Sequence, residues 1–410
     1  MADVSINAER VLANLYTLRE IGKYKTGVHR PTLSPQDMEA RHWLVNQLRS
    51  IGHEADIDGI ANVFGRSSAN GRVLLAGSHI ESQNYAGWLD GALGIVYALE
   101  TARVISESSD FSDCGVDVIA FADEEGHFLN FLGSYSYVGE LDEAIIDTTP
   151  DRTNGTLLRD ALASAGLDGK PRLQMEKGRY AGFLEAHIEQ GDWLESQDLE
   201  IGVVESIVSI CQYRLVFEGV QNHAGTTRMA IRKDAGLAAR GLCQRIDEAF
   251  QRYAAPRTVW TVGQMTLDPG APSIIPGRAE MIFQFRDANP DKLEELHGIL
   301  LTLVAEADEA GPCRVSIETL AQSTPAVMNG EIQEALAAAA EYHTPGKHTR
   351  MPSGAGHDAQ VIAGHIASGM LFVPSIGGIS HHYTEDTSDD HIVKGARVFA
   401  SAAARLMSDA

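Results

Sequence analysis

The chain has 410 residues and a formal net charge of −23, with 44% hydrophobic and 22% charged residues. That length exceeds one ordinary core and predicts two or three domains; the acidic balance disfavours nucleic acid and anionic membranes as partners, because nothing offsets phosphate repulsion. The four cysteines, Cys114, Cys211, Cys243 and Cys313, lack paired spacing, no apolar run reaches the length of a membrane span, and the first fifteen residues lack the basic-then-apolar order of a signal peptide, so a cytoplasmic protein with reduced thiols is expected.

In chain order, residues 3–22 and 35–51 carry helical periodicity, the second helix opening on Ser34-Pro35, a cap followed by proline in the first turn. Short apolar runs follow at 73–76, 116–122, 183–186 and later 369–374, each ending in a polar or glycine-rich turn and partly separated by helical stretches. This alternation predicts an α/β domain with a largely parallel sheet. From residue 211 the texture changes: strand 212–219, helix 234–254, strands 258–267 and 275–286, helix 290–311 and strand 313–320. That β-α-β-β-α-β order is the ferredoxin-like split-βαβ module. The expected organisation is therefore residues 1–210 and 326–410 as one α/β domain, with 211–325 inserted into it.

Chemistry-bearing residues recur where the first domain's strands end. "GSHIESQNYAGWLDGALG" places His79 just past one apolar run and Asp90 eleven residues later, before a helix. "VDVIAFADEEGHF" ends in Asp123, Glu124 and Glu125, "GFLEAHIEQG" carries His187 and Gln190, and "GMLFVPSIGGISHHYTEDT" leads to His381. In open α/β sheets ligands bind beyond the carboxyl ends of the strands, so four ends delivering imidazoles and carboxylates could build one rim. Such a donor set suits zinc or manganese, and five donors exceed one tetrahedral catalytic site but fit two ions sharing a carboxylate. Of the adjacent pair Glu124 and Glu125, one can ligate while the other faces a water. Singly, each residue has a plainer reading: a histidine at a strand end as a satisfied polar group, the acidic run as a solvated loop, Gln190 as a turn amide, His223 as a turn residue, and Arg286 as a partner of Asp287 or Glu280. A solvated surface has no reason to recur at four strand ends.

The segments "GSHIES", "WLDGALG", "DEEGHF", "EAHIEQG", "NHAGTTRM", "IPGRAEMIFQFR", "MPSGAGHDA" and "GISHHYTEDT" together resemble the N-carbamoyl-L-amino-acid hydrolase and allantoate amidohydrolase group, within the di-metal aminoacylase and carboxypeptidase superfamily. The resemblance spans nearly the whole chain. It implies a di-metal exopeptidase-like catalytic domain, the inserted module acting as lid and dimerisation domain, and a homodimer acting on a small molecule. His79, Asp90 and His187 would hold one divalent ion, with Asp90 bridging to a second held by Glu125 and His381; the ions would be zinc, or manganese or cobalt. Glu124 would be the general base, Glu81 would orient His79, and Gln190 would line the substrate pocket. His223 would reach over a neighbouring subunit's site to stabilise the oxyanion, and Arg286 would bind the substrate carboxylate, which argues against an aminopeptidase. The implied reaction is hydrolysis of the N-carbamoyl or N-acyl C–N bond of a small L-amino-acid-type substrate. Alternatives are an allantoate- or ureidoglycolate-type ureide, an aromatic-acyl conjugate, and a non-catalytic binding protein; loss of Glu124 or of a metal ligand would signal the last, and none is lost.

The chain departs from the resembled pattern at Glu81, where aspartate is usual, at Trp88-Leu89, at Ser209-Ile210, at Tyr383, and at Ser273, which falls where an asparagine helps hold the carboxylate. Trp88, Ile210 and Tyr383 predict a less polar, more aromatic pocket.

Overall fold

The computed structural model describes residues 4–322 and 325–408. The chain divides into two compact units, Met1–Ser206 with Ala326–Ala410, and Ile207–Pro325.

The first unit is built on a mixed sheet. Among the described residues it has nine strands, ordered Ala326–Val327, Ile201–Ile207, Ser368–Val373, Tyr180–Ile188, Val73–His79, Gly115–Phe121, Val63–Arg66 and Glu54–Ile57, with His348–Ser353 pairing with Ile201–Ile207. The expectation of a largely parallel sheet holds only for the centre. Ser368–Val373, Tyr180–Ile188, Val73–His79 and Gly115–Phe121 run parallel, whereas Ile201–Ile207 lies antiparallel to Ser368–Val373, and Glu54–Ile57 and Val63–Arg66 form an antiparallel pair at the other flank. The two flanking strands of four residues are joined by five residues, a connection that permits only antiparallel pairing, and they are too short to announce themselves by alternation.

Every residue of Val73–His79 and Gly115–Phe121 is buried, as a parallel centre covered on both faces requires. Helices Ala92–Glu107, Gly330–His343 and Asp389–Ser408 supply part of that cover and share one core with the sheet. The helix Pro35–Ser50 opens as its sequence predicts, with Ser34 Oγ accepting the Asp37 N–H at 3.2 Å and proline in the first turn. Because the four central strands are parallel, their carboxyl ends lie on one rim; His79 pairs in register with Phe121, and His187 with Phe372.

The second unit is an antiparallel sheet ordered Val259–Asp268, Arg278–Asp287, Ser209–Glu218 and Arg314–Gln322. Helices Ala235–Tyr253 and Pro290–Ala310 cover one face, burying alternate residues such as Cys211, Tyr213, Leu215 and Phe217. The single strand expected over 275–286 is two pieces, Ile274–Ile275 and Arg278–Asp287. Pro276 lies between them and has no N–H to donate to a ladder. Among the described residues no helix is long and apolar enough to cross a membrane.

Candidate metal centre

At the rim of the central strands, two strand ends (His79 and His187) and three loops (Asp90, Glu125 and His381) bring five predicted residues together, with Asp90 in the middle. His79 Nε2 lies 3.3 Å and His187 Nε2 3.0 Å from Asp90 Oδ1, while His381 Nε2 lies 3.3 Å from Asp90 Oδ2 and 3.5 Å from Glu125 Oε2. Asp90 thus turns one oxygen to each of two groups, His79–Asp90–His187 and Asp90–Glu125–His381. Two ligand atoms about 2.1 Å from a shared tetrahedral ion stand about 3.4 Å apart, so these separations fit metal coordination. The ring orientations fit as well. His187 Nδ1 faces the Ile188 carbonyl at 2.9 Å and His79 Nδ1 the Glu81 carbonyl at 3.2 Å. In neutral rings both Nδ1 atoms then carry the proton, leaving the Nε2 lone pairs on the Asp90 side, where that of His187 also accepts the Gly91 N–H at 3.2 Å. Lone pair against carboxylate is favourable only with a cation between them.

The electrostatics carry the same message. Burial pushes the Glu124 carboxyl well above its ordinary pKa and raises that of Glu125, in each case with help from neighbouring carboxylates. Burial also disfavours protonated His79, but Asp90, Glu124 and Glu81 outweigh it and hold its pKa well above the usual value. The bond to Asp90 is the main cause raising half-exposed His381 to about 9. The cluster is an anionic pit that gathers positive charge, as protons when no metal is bound. Glu124 is buried beside it, with Oε2 3.8 Å from His79 Nε2.

Backbone geometry places these groups. Gly91 has φ +65° and precedes the buried helix Ala92–Glu107; a Cβ there would stand 2.5 Å from the His79 ring. Gly91→Ala is therefore expected to displace His79 and weaken metal binding by roughly 10–100-fold, the span typical of disturbed supporting contacts. Metal affinity of the chelated and refilled variant, measured by calorimetry, checks this; wild-type affinity would mean that the ring yields without consequence.

Residues 79–405 match the peptidase family M20/M25/M40. The chain belongs to that family. A curated relative, the N-carbamoyl-L-amino-acid amidohydrolase of Paenarthrobacter aurescens, is 32% identical over 95% of this chain and 96% of its own length. The ureidoglycolate hydrolase of Oryza sativa is 31% identical over 92% of this chain and 80% of its own. A crystal structure of an amidase of the hydantoinase/carbamoylase family from Burkholderia phymatum superposes with a TM-score of 0.91 at 45% identity, covering 100% of this chain and 99% of the other.

The remaining residues singled out from the sequence fall in varied places in this M20/M25/M40 chain. Gln190 Nε2 donates to Asp90 Oδ2 at 2.9 Å and to Ser380 Oγ at 3.2 Å, so it braces the shared carboxylate. Glu81 was expected to orient His79 through its carboxylate, yet it is the Glu81 backbone carbonyl that lies 3.2 Å from His79 Nδ1; the nearer carboxylate oxygen is 3.8 Å away. Trp88, expected to enrich the pocket, is 2% exposed, stacked on Tyr16 with centroids 5.4 Å apart and covered by the Arg19 guanidinium at 4.6 Å. Its bulk is spent on packing within the protein. Tyr383 does form part of an aromatic group, 5.9 Å from Tyr24 and 3.9 Å from Lys25 Nζ.

On the second unit, His223 is exposed and its Nδ1 accepts the Gly225 and Thr226 N–H groups at 3.0 and 3.2 Å. Its neutral ring then carries the proton on Nε2, a ready donor. The exposed Ser273 is beside it, its carbonyl accepting the Ala224 N–H. Arg286 lies near the far end of the strand Arg278–Asp287, paired across with Ile210. Its Nη2 donates to Gln284 Oε1 at 3.4 Å, while Glu280 pairs with Arg214 and Arg278, and Asp287 accepts from Thr258 and Asn289.

Two residues escaped the sequence reading. Glu385 is buried, accepts the Leu89 and Asp90 N–H groups at 3.3 and 3.1 Å and the Ser380 hydroxyl at 3.0 Å, and so ties the Asp90 loop to the His381 loop. Gln83 donates from its backbone and side chain to Glu125. In sequence Glu385 sits within "YTEDT" and Gln83 within "ESQN", contexts that read as solvated loops.

Proposed function

We propose that the chain is a metal-dependent amidohydrolase that cleaves the N-carbamoyl or N-acyl C–N bond of a small carboxylate-bearing substrate of the L-amino-acid type. The observation that carries this is the pair of ligand groups sharing Asp90 with buried Glu124 beside them, in a chain whose relatives bear amidohydrolase names. His79, Asp90 and His187 would hold one divalent ion, and Asp90, Glu125 and His381 a second, zinc being the natural choice for this imidazole and carboxylate set and manganese or cobalt its substitutes. When bound, such ions polarise the scissile carbonyl and acidify a water. Glu124 accepts the proton of the attacking water and returns it to the leaving nitrogen, a role its burial and raised proton affinity suit. His223 donates Nε2–H to the developing oxyanion. Arg286 presents a planar fork to the substrate carboxylate, which a chain of charge −23 needs in order to hold an anion. Ser273, which falls where an asparagine helps hold the carboxylate in the resembled family, would bind substrate beside His223. With an N-carbamoyl amino acid, water addition and C–N cleavage give the amino acid, carbon dioxide and ammonia.

A panel of N-carbamoyl, N-formyl, N-acetyl and aromatic-acyl amino acids, with allantoate and ureidoglycolate beside them, tests the assignment. Turnover of at least one carboxylate-bearing amide is expected, with aromatic or bulky apolar members ahead of allantoate because of Tyr383 and its neighbours. Arg286→Lys should raise KM for the acid more than it changes turnover of the corresponding amide. A panel with no turnover at any metal loading would remove the assignment. Allantoate or ureidoglycolate at the top would instead favour the ureide reading, which the likeness to a ureidoglycolate hydrolase keeps in play.

The second unit, in this proposal, is a ferredoxin-like lid and dimerisation domain. Its edge strand Val259–Asp268 exposes Val259, Met265 and Leu267, an apolar border suited to pairing with a second copy. His223 and Ser273 lie beyond one end of the strand Arg278–Asp287 and Arg286 near the other, eight residues or about 27 Å along it. A substrate of amino-acid size cannot span that length, which supports one end serving the chain's own site and the other a partner's. His223→Ala and Glu124→Gln, each inactive, are therefore expected to regain partial activity when their subunits are exchanged. Proven heterodimers without recovery would place His223 in its own chain's site or outside catalysis.

A further inference from the structure

The carboxylate of Glu81 acts on His79 only through its charge, from 3.8 Å, and the hydrogen bonds it makes point to a second task. Oε1 accepts the backbone N–H of Glu124 at 2.7 Å, and Oε2 accepts Arg41 Nη2 at 2.7 Å, both side chains being fully buried. Arg41, on the helix Pro35–Ser50, extends Nη1 to the carbonyls of Ala61 at 2.7 Å and Phe121 at 3.3 Å, and Nε to Asp37 at 3.0 Å. Phe121 is the last residue of the strand that leads into Asp123, Glu124 and Glu125. One residue before Glu124 the backbone turns through φ +57° at Asp123, whose carboxylate accepts the N–H groups of His127, Phe128 and Leu129 and the Thr32 hydroxyl. The peptide that carries the base is thus gripped from before and behind by buried charges.

We infer that Glu81 is a positioning residue for the Glu124 base, holding its backbone N–H while Arg41 fixes the opposite carboxylate oxygen. This rests on the assignment of Glu124 as the base made above. The two oxygens leave no slack. Aspartate is usual at this position in the resembled pattern, but with Arg41 and the Glu124 peptide placed as they are in this chain, Glu81→Asp withdraws the carboxylate by about 1.5 Å, one C–C bond, and lengthens at least one of the two contacts. The contact to His79 survives, because it comes from the backbone carbonyl of residue 81. The inference therefore separates two properties that orientation of His79 would tie together: turnover and metal retention.

The experiment compares wild type, Glu81→Asp and Glu81→Gln, each fully loaded with zinc, in three readouts: bound metal, kcat and KM, and amide hydrogen exchange across residues 122–128. For Glu81→Asp, kcat is expected to fall at least about tenfold with KM and metal content unchanged, and exchange at the Glu124 amide should quicken. Glu81→Gln, which keeps length but one acceptor, should show the same pattern more weakly, and it decides the matter if the aspartate variant does not fold. Unchanged kcat and exchange, or a loss of activity that follows a loss of metal, would overturn the inference. If wild type hydrolyses nothing on the panel, the catalytic assignment fails by itself, and the exchange rate still decides whether Glu81 holds the Glu124 peptide.

Discussion

Glu124→Gln is expected to fold, to bind metal as wild type does, and to lose roughly 10²–10⁴ in kcat, the usual span for a general acid–base group. The side chain keeps its shape and its place 3.8 Å from His79, but the amide cannot take a proton from water. The loss should fall on kcat with little change in KM, since substrate is anchored elsewhere in this account. Steady-state kinetics at equal metal content is the check. Near-normal turnover would make Glu124 a bystander, and its burial beside the ligand groups would then need another explanation.

A larger effect is expected at Asp90. Its Oδ1 faces His79 and His187 and its Oδ2 faces His381, so one carboxylate serves both ligand groups. Asp90→Ala should weaken both sites together, remove measurable turnover, and resist rescue by added zinc. Chelated wild type should lose turnover as completely and regain it when zinc, manganese or cobalt is returned. A variant at His381, which touches only the Oδ2 side, should spare the other group. Metal content measured across Asp90→Ala and His381→Ala distinguishes these outcomes: equal losses in the two variants would argue against a shared carboxylate.

Much of this site could be read from residues whose chemistry is costly to bury. His79, Asp90, Glu125, His187 and His381 stood out because imidazoles and carboxylates recur just past apolar runs, and a parallel sheet brings such ends to one rim. The four central strands were legible because burial on both faces writes a mainly apolar run, even where Asp117 and Glu185 interrupt it. The flanking strands Glu54–Ile57 and Val63–Arg66 were not, since four half-buried residues alternate too briefly to stand above loop composition. Trp88 misled for a related reason: a large aromatic next to a ligand reads as a pocket wall, but only tertiary packing shows Tyr16 and Arg19 already occupying its faces. Glu385 and the Glu81–Arg41 pair were invisible because their partners are backbone groups or residues tens to hundreds of positions away, and a lone acidic residue in a polar loop carries no mark of burial.

The central claim, that two divalent ions share Asp90 at this rim, is tested most directly by titrating chelated wild-type protein with zinc while following both bound metal and turnover of an N-carbamoyl amino acid. The account predicts that binding saturates at two ions per chain and that full turnover is reached only as the second site fills. Full turnover in protein that holds no metal, or saturation at two ions in the Asp90→Ala variant, would contradict it.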